Sequence, residues 1–358
     1  MKTLAIAGAA LLALFSTIAP SAVSAGDAAP LELHHQIHGE GAPLVLLHGA
    51  FMTIETNWAT SLGELARSNK VIAVELQGHG RTADRDEGLS YETMADDVAG
   101  LLDKLGVAKA NVVGYSMGGN VALQLALRHP DRVERIVAVS ASASDKGLAA
   151  GHKEMVQHLT ADMFTGAPMV AEYQKLAPKP DFPALVEKVK QLELTPFDWT
   201  ADLARIAQPV LLVAGDADVV TLGHLAEMYA ALGGHANGDV NGPSRSQLMV
   251  LSDTTHMGIL ADPAKAQQVA VAANAFLGTP ARSEAGLSPR NLTSNANRPR
   301  GAGPVSHCPM TSNLSARRVP VRPAVRGSGW RSGGRDSASP AGRARPRDGA
   351  GPRIPGGR

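Results

Sequence analysis

The chain has 358 residues, 44% apolar and 19% charged, enough for one large domain or two small ones of ordinary globular balance. A single cysteine, Cys308, excludes a disulfide scaffold, a four-cysteine zinc site and a CxxC redox pair, and no apolar run beyond the first two dozen residues reaches the roughly 18 needed to cross a bilayer. The net charge of +1 conceals a boundary: residues 281–358 carry 15 Arg, no Lys and 3 acidic residues, a net of +12, which leaves −11 for residues 1–280.

In chain order the first pattern is one of export. Lys2 supplies a positive start, Leu4 to Ile18 an apolar stretch, and Val23-Ser24-Ala25 a small-x-small cleavage site. The expectation is a signal peptide over residues 1–25 and a periplasmic or secreted protein, against the alternatives of an uncleaved anchor or an ordinary buried helix. No cysteine near the cut suggests a lipid anchor, and no Arg-Arg pair suggests twin-arginine export. A body without cysteine suits an oxidising compartment.

Residues 26–280 have the size of one α/β domain. Short apolar runs predict strands at Leu44–Leu47, Val71–Glu75, Ala110–Gly114, Val133–Ser140, Val210–Ala214 and Gln247–Ser252. Several are apolar throughout, as in a parallel sheet covered on both faces. Between them, helical patterns fit Ser61–Ser68, Thr93–Leu105, Met117–Arg128, Leu222–Leu232 and Pro263–Phe276. That alternation predicts right-handed crossovers and a doubly wound, mostly parallel sheet. Residues 144–208 break it: helical patterns recur around Lys146–His158, Met169–Leu176 and Phe182–Leu192, with no convincing strand. The expectation is a helical cap inserted between two strands.

Ligands of doubly wound sheets sit beyond the carboxyl ends of the strands, so the residues there carry the chemistry. Asn111-Val112-Val113 runs into Gly114-Tyr115-Ser116-Met117-Gly118-Gly119, and a helix follows at once. This is G-x-S-x-G in its required setting of strand, sharp turn and helix. The turn forces the serine into a strained conformation, which demands small neighbours and exposes Oγ in front of a helix N-terminus. A serine needs a base, and the base an orienting acid. One later strand ends in Gly215-Asp216-Ala217-Asp218, and another in Asp253-Thr254-Thr255-His256. The order Ser116, Asp218, His256 is the one this nucleophile elbow requires, each member just past a predicted strand.

The chain here resembles the α/β-hydrolase fold family over about residues 31–278. The anchors are Leu46-Leu47-His48-Gly49, Gln77-Gly78-His79-Gly80-Arg81-Thr82, Gly114-Tyr115-Ser116-Met117-Gly118-Gly119, Gly215-Asp216-Ala217-Asp218 and Thr255-His256. The resemblance implies a Ser-Asp-His hydrolase in which Asp218 is the acid and Asp216 a turn residue. His256 would take the Ser116 proton as Oγ attacks an acyl carbon, then pass it to the leaving group, and water would repeat the cycle. It further implies an oxyanion hole from the N–H of Met117 and that of Ala50 or Phe51. Ala50-Phe51-Met52 departs from the usual continuation after His-Gly, so both residues stay in play. Glu75 stands for the family's common Asp and Thr82 for its common Ser. A serine nucleophile disfavours the branches that use Asp there.

Other residues have blander readings. His48 and His79 brace loops, Asp96, Asp97 and Asp103 form a solvated helix face, and Gly118-Gly119 lacks the spacing of a dinucleotide fingerprint. His34, His35 and His38 lack the further ligands of a metal site. No metal and no cofactor is expected. Phe51, Met52, Tyr115 and cap residues such as Met163, Phe164 and Trp199 are candidates to line a substrate pocket, core packing being the other option for each.

The last 78 residues are rich in Arg, Gly, Pro and Ser, and cannot bury enough surface to offset their ordering entropy. A disordered basic tail is expected. Its composition is that of a GC-rich gene read in a shifted frame. Trp330 alone makes no stacking surface, so no nucleic-acid partner is expected. The activity expected is hydrolysis of small carboxylic esters through an acyl-enzyme, with no stable membrane anchor. The same triad could instead serve an enol-lactone, a vinylogous diketone C–C bond or a peracid. A non-catalytic binding protein on this scaffold is the rival from another class.

Overall fold

The computed structural model describes residues 31–234 and 237–279. The expected leader and the expected basic tail lie outside the described residues. The described part contains seven strands: β1 His35–His38, β2 Ala42–Leu47, β3 Asn69–Val74, β4 Ala110–Tyr115, β5 Val133–Val139, β6 Val210–Ala217 and β7 Gln247–Thr255. They form one sheet in the order β1-β3-β2-β4-β5-β6-β7. Only β1, against β3, is antiparallel; every other neighbouring pair is parallel. The doubly wound α/β architecture read from the sequence is the one observed.

The helices are α1 Ile54–Trp58, α2 Leu62–Leu65, α3 Tyr91–Lys104, α4 Met117–Arg128, α5 His152–Gln157, α6 Pro168–Leu176, α7 Phe182–Leu194, α8 Leu222–Ala231, α9 Gly238–Asn241, α10 Gly258–Ala261 and α11 Pro263–Leu277. Alternate residues of the central strands feed opposite faces, as the twofold period of a strand requires. Val45, Leu47, Ile72, Val74 and Val112 pack in one core with residues of α3, α4 and α8. Leu44, Leu46, Val71, Ala73, Val113 and Val137 pack in a second core with Trp58 and with Phe276 of α11. The result is three layers, and no described helix is long and apolar enough to cross a membrane.

The differences from the sequence reading have local causes. β1 was not predicted, because His-Gln-Ile-His is a short, polar-patterned edge strand. The helix expected over Ser61–Ser68 shrinks to the single turn α2. Helix α1 was missed because five residues carry no helical period; its start is set by a capping box in which Thr53 and Thr56 each accept from the other's N–H. The helix expected over Lys146–His158 is broken. Asp145–Gly147 forms a 3-10 turn, and α5 begins only after Gly151, whose φ of 85° interrupts the helix. Glu75 lies beyond the end of β3, while β6 and β7 run three residues further than expected.

One reading is corrected outright. Asp97 is not on a solvated face: it is buried, accepts the N–H of Leu31 at 2.7 Å and pairs with the Arg85 guanidinium at 2.6 Å. Asp96 and Asp103 do stay at the surface, engaged by Arg128 and Arg132. The helical period of α3 carries no information on a buried ion pair supplied by the loop that precedes it.

Candidate active site

The elbow is built by exclusion of side-chain volume. Ser116 has φ 52° and ψ −119°, a conformation that only a tightly constrained turn imposes on a residue with a side chain. A Cβ on Gly114 would lie 2.1 Å from the Gly118 carbonyl oxygen, and one on Gly118 would lie 2.2 Å from the Leu47 carbonyl oxygen. The Ser116 N–H donates to the Val139 carbonyl at 2.8 Å, pinning the turn to β5. Helix α4 then starts at Met117, with its N-terminus beneath the hydroxyl.

Ser116, His256 and Asp218 follow the ends of β4, β7 and β6, and the structure brings them into one hydrogen-bonded chain. Ser116 Oγ is 3.0 Å from His256 Nε2, and His256 Nδ1 is 2.7 Å from Asp218 Oδ1. The Asp218 side chain is fully buried while the imidazole keeps 18% exposure. Burial opposes ionisation of Asp218, but the bonds and charge of His256 and a bond from Ser140 outweigh it and hold the carboxyl below the ordinary range. The N–H groups of Val220 and Gly215 also donate to it, at 3.3 and 3.4 Å. Asp216 does other work: it accepts the N–H groups of Asp253 and Thr254 at 3.0 and 3.1 Å and so shapes the end of β7.

Two further groups, Ser140 and Tyr115, brace the relay. The Ser140 hydroxyl donates to Asp218 Oδ2 at 2.6 Å, and Ser140 itself has φ 52°. Nothing in its sequence context distinguished it from the end of a strand, so sequence reasoning missed it. Tyr115 was a candidate pocket residue. It does line the cavity, and its hydroxyl also donates to the His256 carbonyl at 2.9 Å. Burial, then the charge of Asp218, pushes that phenol above its ordinary range, so it remains a donor.

The N–H groups of Met117, Ala50 and Phe51 make no hydrogen bond to protein among the described residues, and all three residues line the cavity with Ser116 and His256. Phe51 has φ 62°, costly for an aromatic residue. The loop is held by Gly49, whose N–H donates to Asn57 Oδ1 at 2.9 Å, and by Met52, whose N–H donates to the Gly49 carbonyl at 3.3 Å. A buried polar layer supports it. His48 Nδ1 donates to the Gly49 carbonyl at 2.8 Å, and its Nε2 accepts the Leu76 N–H at 3.0 Å. That tautomer is neutral; burial and the neighbouring His79 push His48 down to about 3. Burial likewise pushes His79 down to about 4, with its Nδ1 donating to the Gln77 carbonyl at 2.8 Å. Glu75 is buried, accepts the Arg81 N–H at 2.6 Å and its guanidinium at 2.8 Å, and is raised chiefly by burial. The Thr82 hydroxyl donates to the Glu75 carbonyl at 2.6 Å.

Above Ser116 lies a cavity of about 250 Å³. Its walls include Phe51, Met52 and, from the segment between β5 and β6, Val156, Leu159, Phe164 and Val189. Met163 is exposed and Trp199 packs against Tyr91 and Phe197, so neither lines it. His152 and Glu193 do line it, and no motif pointed to them. His35 and His38 stand on β1, and no group of three or more His, Cys, Asp or Glu among the described residues is placed to hold a metal ion. An apolar chamber with a relayed hydroxyl at its base and free N–H groups beside it can bind an acyl group, attack it and hold the charge that develops.

Fold and site together define a class, and the comparisons agree with it. The sequence model of the alpha/beta hydrolase fold matches residues 42–185. A protein of Caulobacter sp. (strain K31) named "Putative carbamate hydrolase RutD" is 30% identical over 211 residues, 52% of this chain and 79% of that protein. The 2-hydroxymuconate semialdehyde hydrolase of Pseudomonas sp. (strain CF600) is 38% identical over 107 residues, 29% of this chain; the match spans only 38% of that enzyme's length. Among solved structures, a thermophilic esterase from Thermogutta terrifontis superimposes with a TM-score of 0.50 at 26% identity, covering 69% of this chain and 93% of that one. The chain belongs to the α/β-hydrolase family. Hydrolysis is the chemistry that membership supports; the bond cleaved is a finer question.

Proposed function

We propose that the chain is a serine hydrolase of small carboxylic esters working through an acyl-enzyme. The observation that carries the reading is the unbroken relay Asp218–His256–Ser116 opening into an apolar cavity. Ser116 Oγ attacks the ester carbon as His256 Nε2 accepts its proton. Asp218 keeps Nδ1 protonated and stabilises the imidazolium. The N–H of Met117, with that of Ala50 or Phe51, receives the oxyanion, each donor being worth about 3 kcal/mol. His256 then protonates the leaving alcohol, and water, deprotonated by the same imidazole, releases the acid. The export signal and the small-molecule partner expected from the sequence belong to this proposal: an ester hydrolase acting outside the cytoplasm.

A second reading keeps the relay and changes the bond. It is favoured by the 38% identity to an enzyme named for 2-hydroxymuconate semialdehyde, and would make the substrate a vinylogous diketone or an enol-lactone. A fluorophosphonate probe followed by an acyl-length series of p-nitrophenyl esters tests both. The ester reading expects labelling at Ser116 and turnover that falls by about 10⁴-fold or more in Ser116→Ala. Labelling without ester turnover favours the second reading, and folded protein that takes no label favours a non-catalytic binder.

A further inference from the structure

One side-chain cluster in the cavity has no part in the relay. His152 is the first residue of α5 and Glu193 lies in the last turn of α7, so the pair comes wholly from the segment between β5 and β6. Both line the cavity that holds Ser116 and His256. Their contact is long, 3.4 Å from His152 Nε2 to Glu193 Oε2, with the side chains 12% and 21% exposed. His152 Nδ1 is buried and has no hydrogen-bond partner. A carboxylate beside Nε2 requires a hydrogen on that nitrogen, so in the neutral ring Nδ1 carries a lone pair. Nδ1 is then a buried acceptor with no partner, and the partly exposed Glu193 carboxylate has only the long contact to His152 beside it. Of the neighbouring polar side chains, Ser140 is engaged with Asp218 and Asn120 Oδ1 with the Ser142 N–H, while the Tyr91 phenol, raised by burial and then by the charge of Glu193, bonds to the Asn120 side chain. Leu148, Val156, Leu159 and Val189 supply apolar wall. A buried acceptor such as Nδ1 in these surroundings calls for a donor from water or ligand.

We propose that His152 and Glu193 form a subsite for a hydroxyl group of the substrate, so that the preferred ester carries an alcohol remote from the bond cleaved. This rests on the ester reading above and deepens it. A hydroxyl serves either state of the ring: it donates its one hydrogen to a bare Nδ1, leaving the partly exposed Glu193 oxygen to water, or it accepts from Nδ1–H while donating to Glu193. A substrate carboxylate would meet the like charge of Glu193. An ammonium would leave its water shell among apolar walls for a carboxylate already shared with His152. An unsubstituted alkyl end would leave buried Nδ1 without a partner, and a site built to hydrogen-bond a hydroxyl rejects an analogue lacking it more strongly than an apolar wall rejects an added one.

The test uses ethyl alkanoates of four to eight carbons paired with their ω-hydroxy counterparts, and acetates of diols paired with acetates of the matching alkanols, so that either side of the ester can reach the pair. The wild type should favour the hydroxylated partner at one chain length by about tenfold or more in kcat/KM, mainly through KM. Glu193→Leu and His152→Leu should each bring that ratio near unity, while Glu187→Gln, at an exposed position of α7, should keep it. Calorimetric binding of the same pairs to Ser116→Ala reads recognition without turnover. A hydroxyl preference in binding without ester hydrolysis supports the subsite and overturns only the ester reading. Equal affinity within every pair, a stronger preference for ω-amino esters, or a preference that survives both leucine substitutions overturns the proposal.

Discussion

The floor and the roof of the cavity are built on different terms. In the floor, backbone and excluded volume set the geometry: Ser116, Ser140 and Phe51 all have positive φ, and Gly114 and Gly118 have no room for a Cβ. In the roof, short helices are tied to the body by side chains. Thr53 Oγ donates to Glu172 of α6 at 3.0 Å, and Lys188 of α7 donates to Asp84 at 2.7 Å and to the carbonyls of Arg85 and Glu87. The contrast separates two jobs. Attack geometry depends on a backbone that tolerates no change, whereas substrate choice depends on side chains that can be exchanged without moving the elbow.

That contrast can be broken at several points. The largest effect should come from Gly114→Ala, because its Cβ meets a carbonyl oxygen of the same turn and nothing flexible can give way. The expected loss is about 3 kcal/mol or more, a fall in Tm of about 6–12 °C by calorimetry. A variant with wild-type Tm would show the floor to be softer than its packing implies.

Acid should loosen the floor next. His48 and His79 are neutral in the fold down to about 3 and about 4, whereas in the unfolded chain they titrate at the ordinary histidine value of about 6.5. Below pH 6.5 the unfolded state therefore binds protons that the native state does not, and stability falls as pH falls toward 4. Each histidine adds a slope of up to about 1.4 kcal/mol per pH unit. Urea unfolding at several pH values measures this, and His79→Asn should reduce the slope by about one proton's worth.

Ser140→Ala tests a smaller part of the floor. It removes one of the donors to Asp218 and leaves those of Val220, Gly215 and His256. On the ester reading, kcat should fall about tenfold with little change in KM, because the bond orients the acid and does not touch substrate. A change confined to KM would place Ser140 with the pocket instead. Lys188→Ala should do least. Its partners sit at the surface, and such pairs are worth about 0–1 kcal/mol, so the expected signs are a small loss of stability and a modest rise in KM.

Much of the floor was legible before folding because it is local. G-Y-S-M-G behind an apolar strand specifies strand, turn and helix within a dozen residues, and α4 begins and ends where its period places it. The order Ser116, Asp218, His256 follows from which strands precede them. What could not be read is made of pairings across the chain: Asp97 with the Leu31 N–H over a separation of 66 residues, Ser140 with Asp218 over 78, and His152 with Glu193 over 41. Periodicity reports which face of an element is apolar. It does not report which polar side chains meet once parallel crossovers have brought distant strand ends to one rim. The segment between β5 and β6 shows the same division, since its helical nature is periodic and local, while the break at Gly147 and Gly151 answers to the crowding of His224 and to a left-handed turn. Sequence alone thus determined the six parallel strands, the elbow and the order of the relay, because neighbouring residues impose them. Tertiary structure decided the braces and the polar corner of the cavity, because those exist only between residues that the chain keeps far apart.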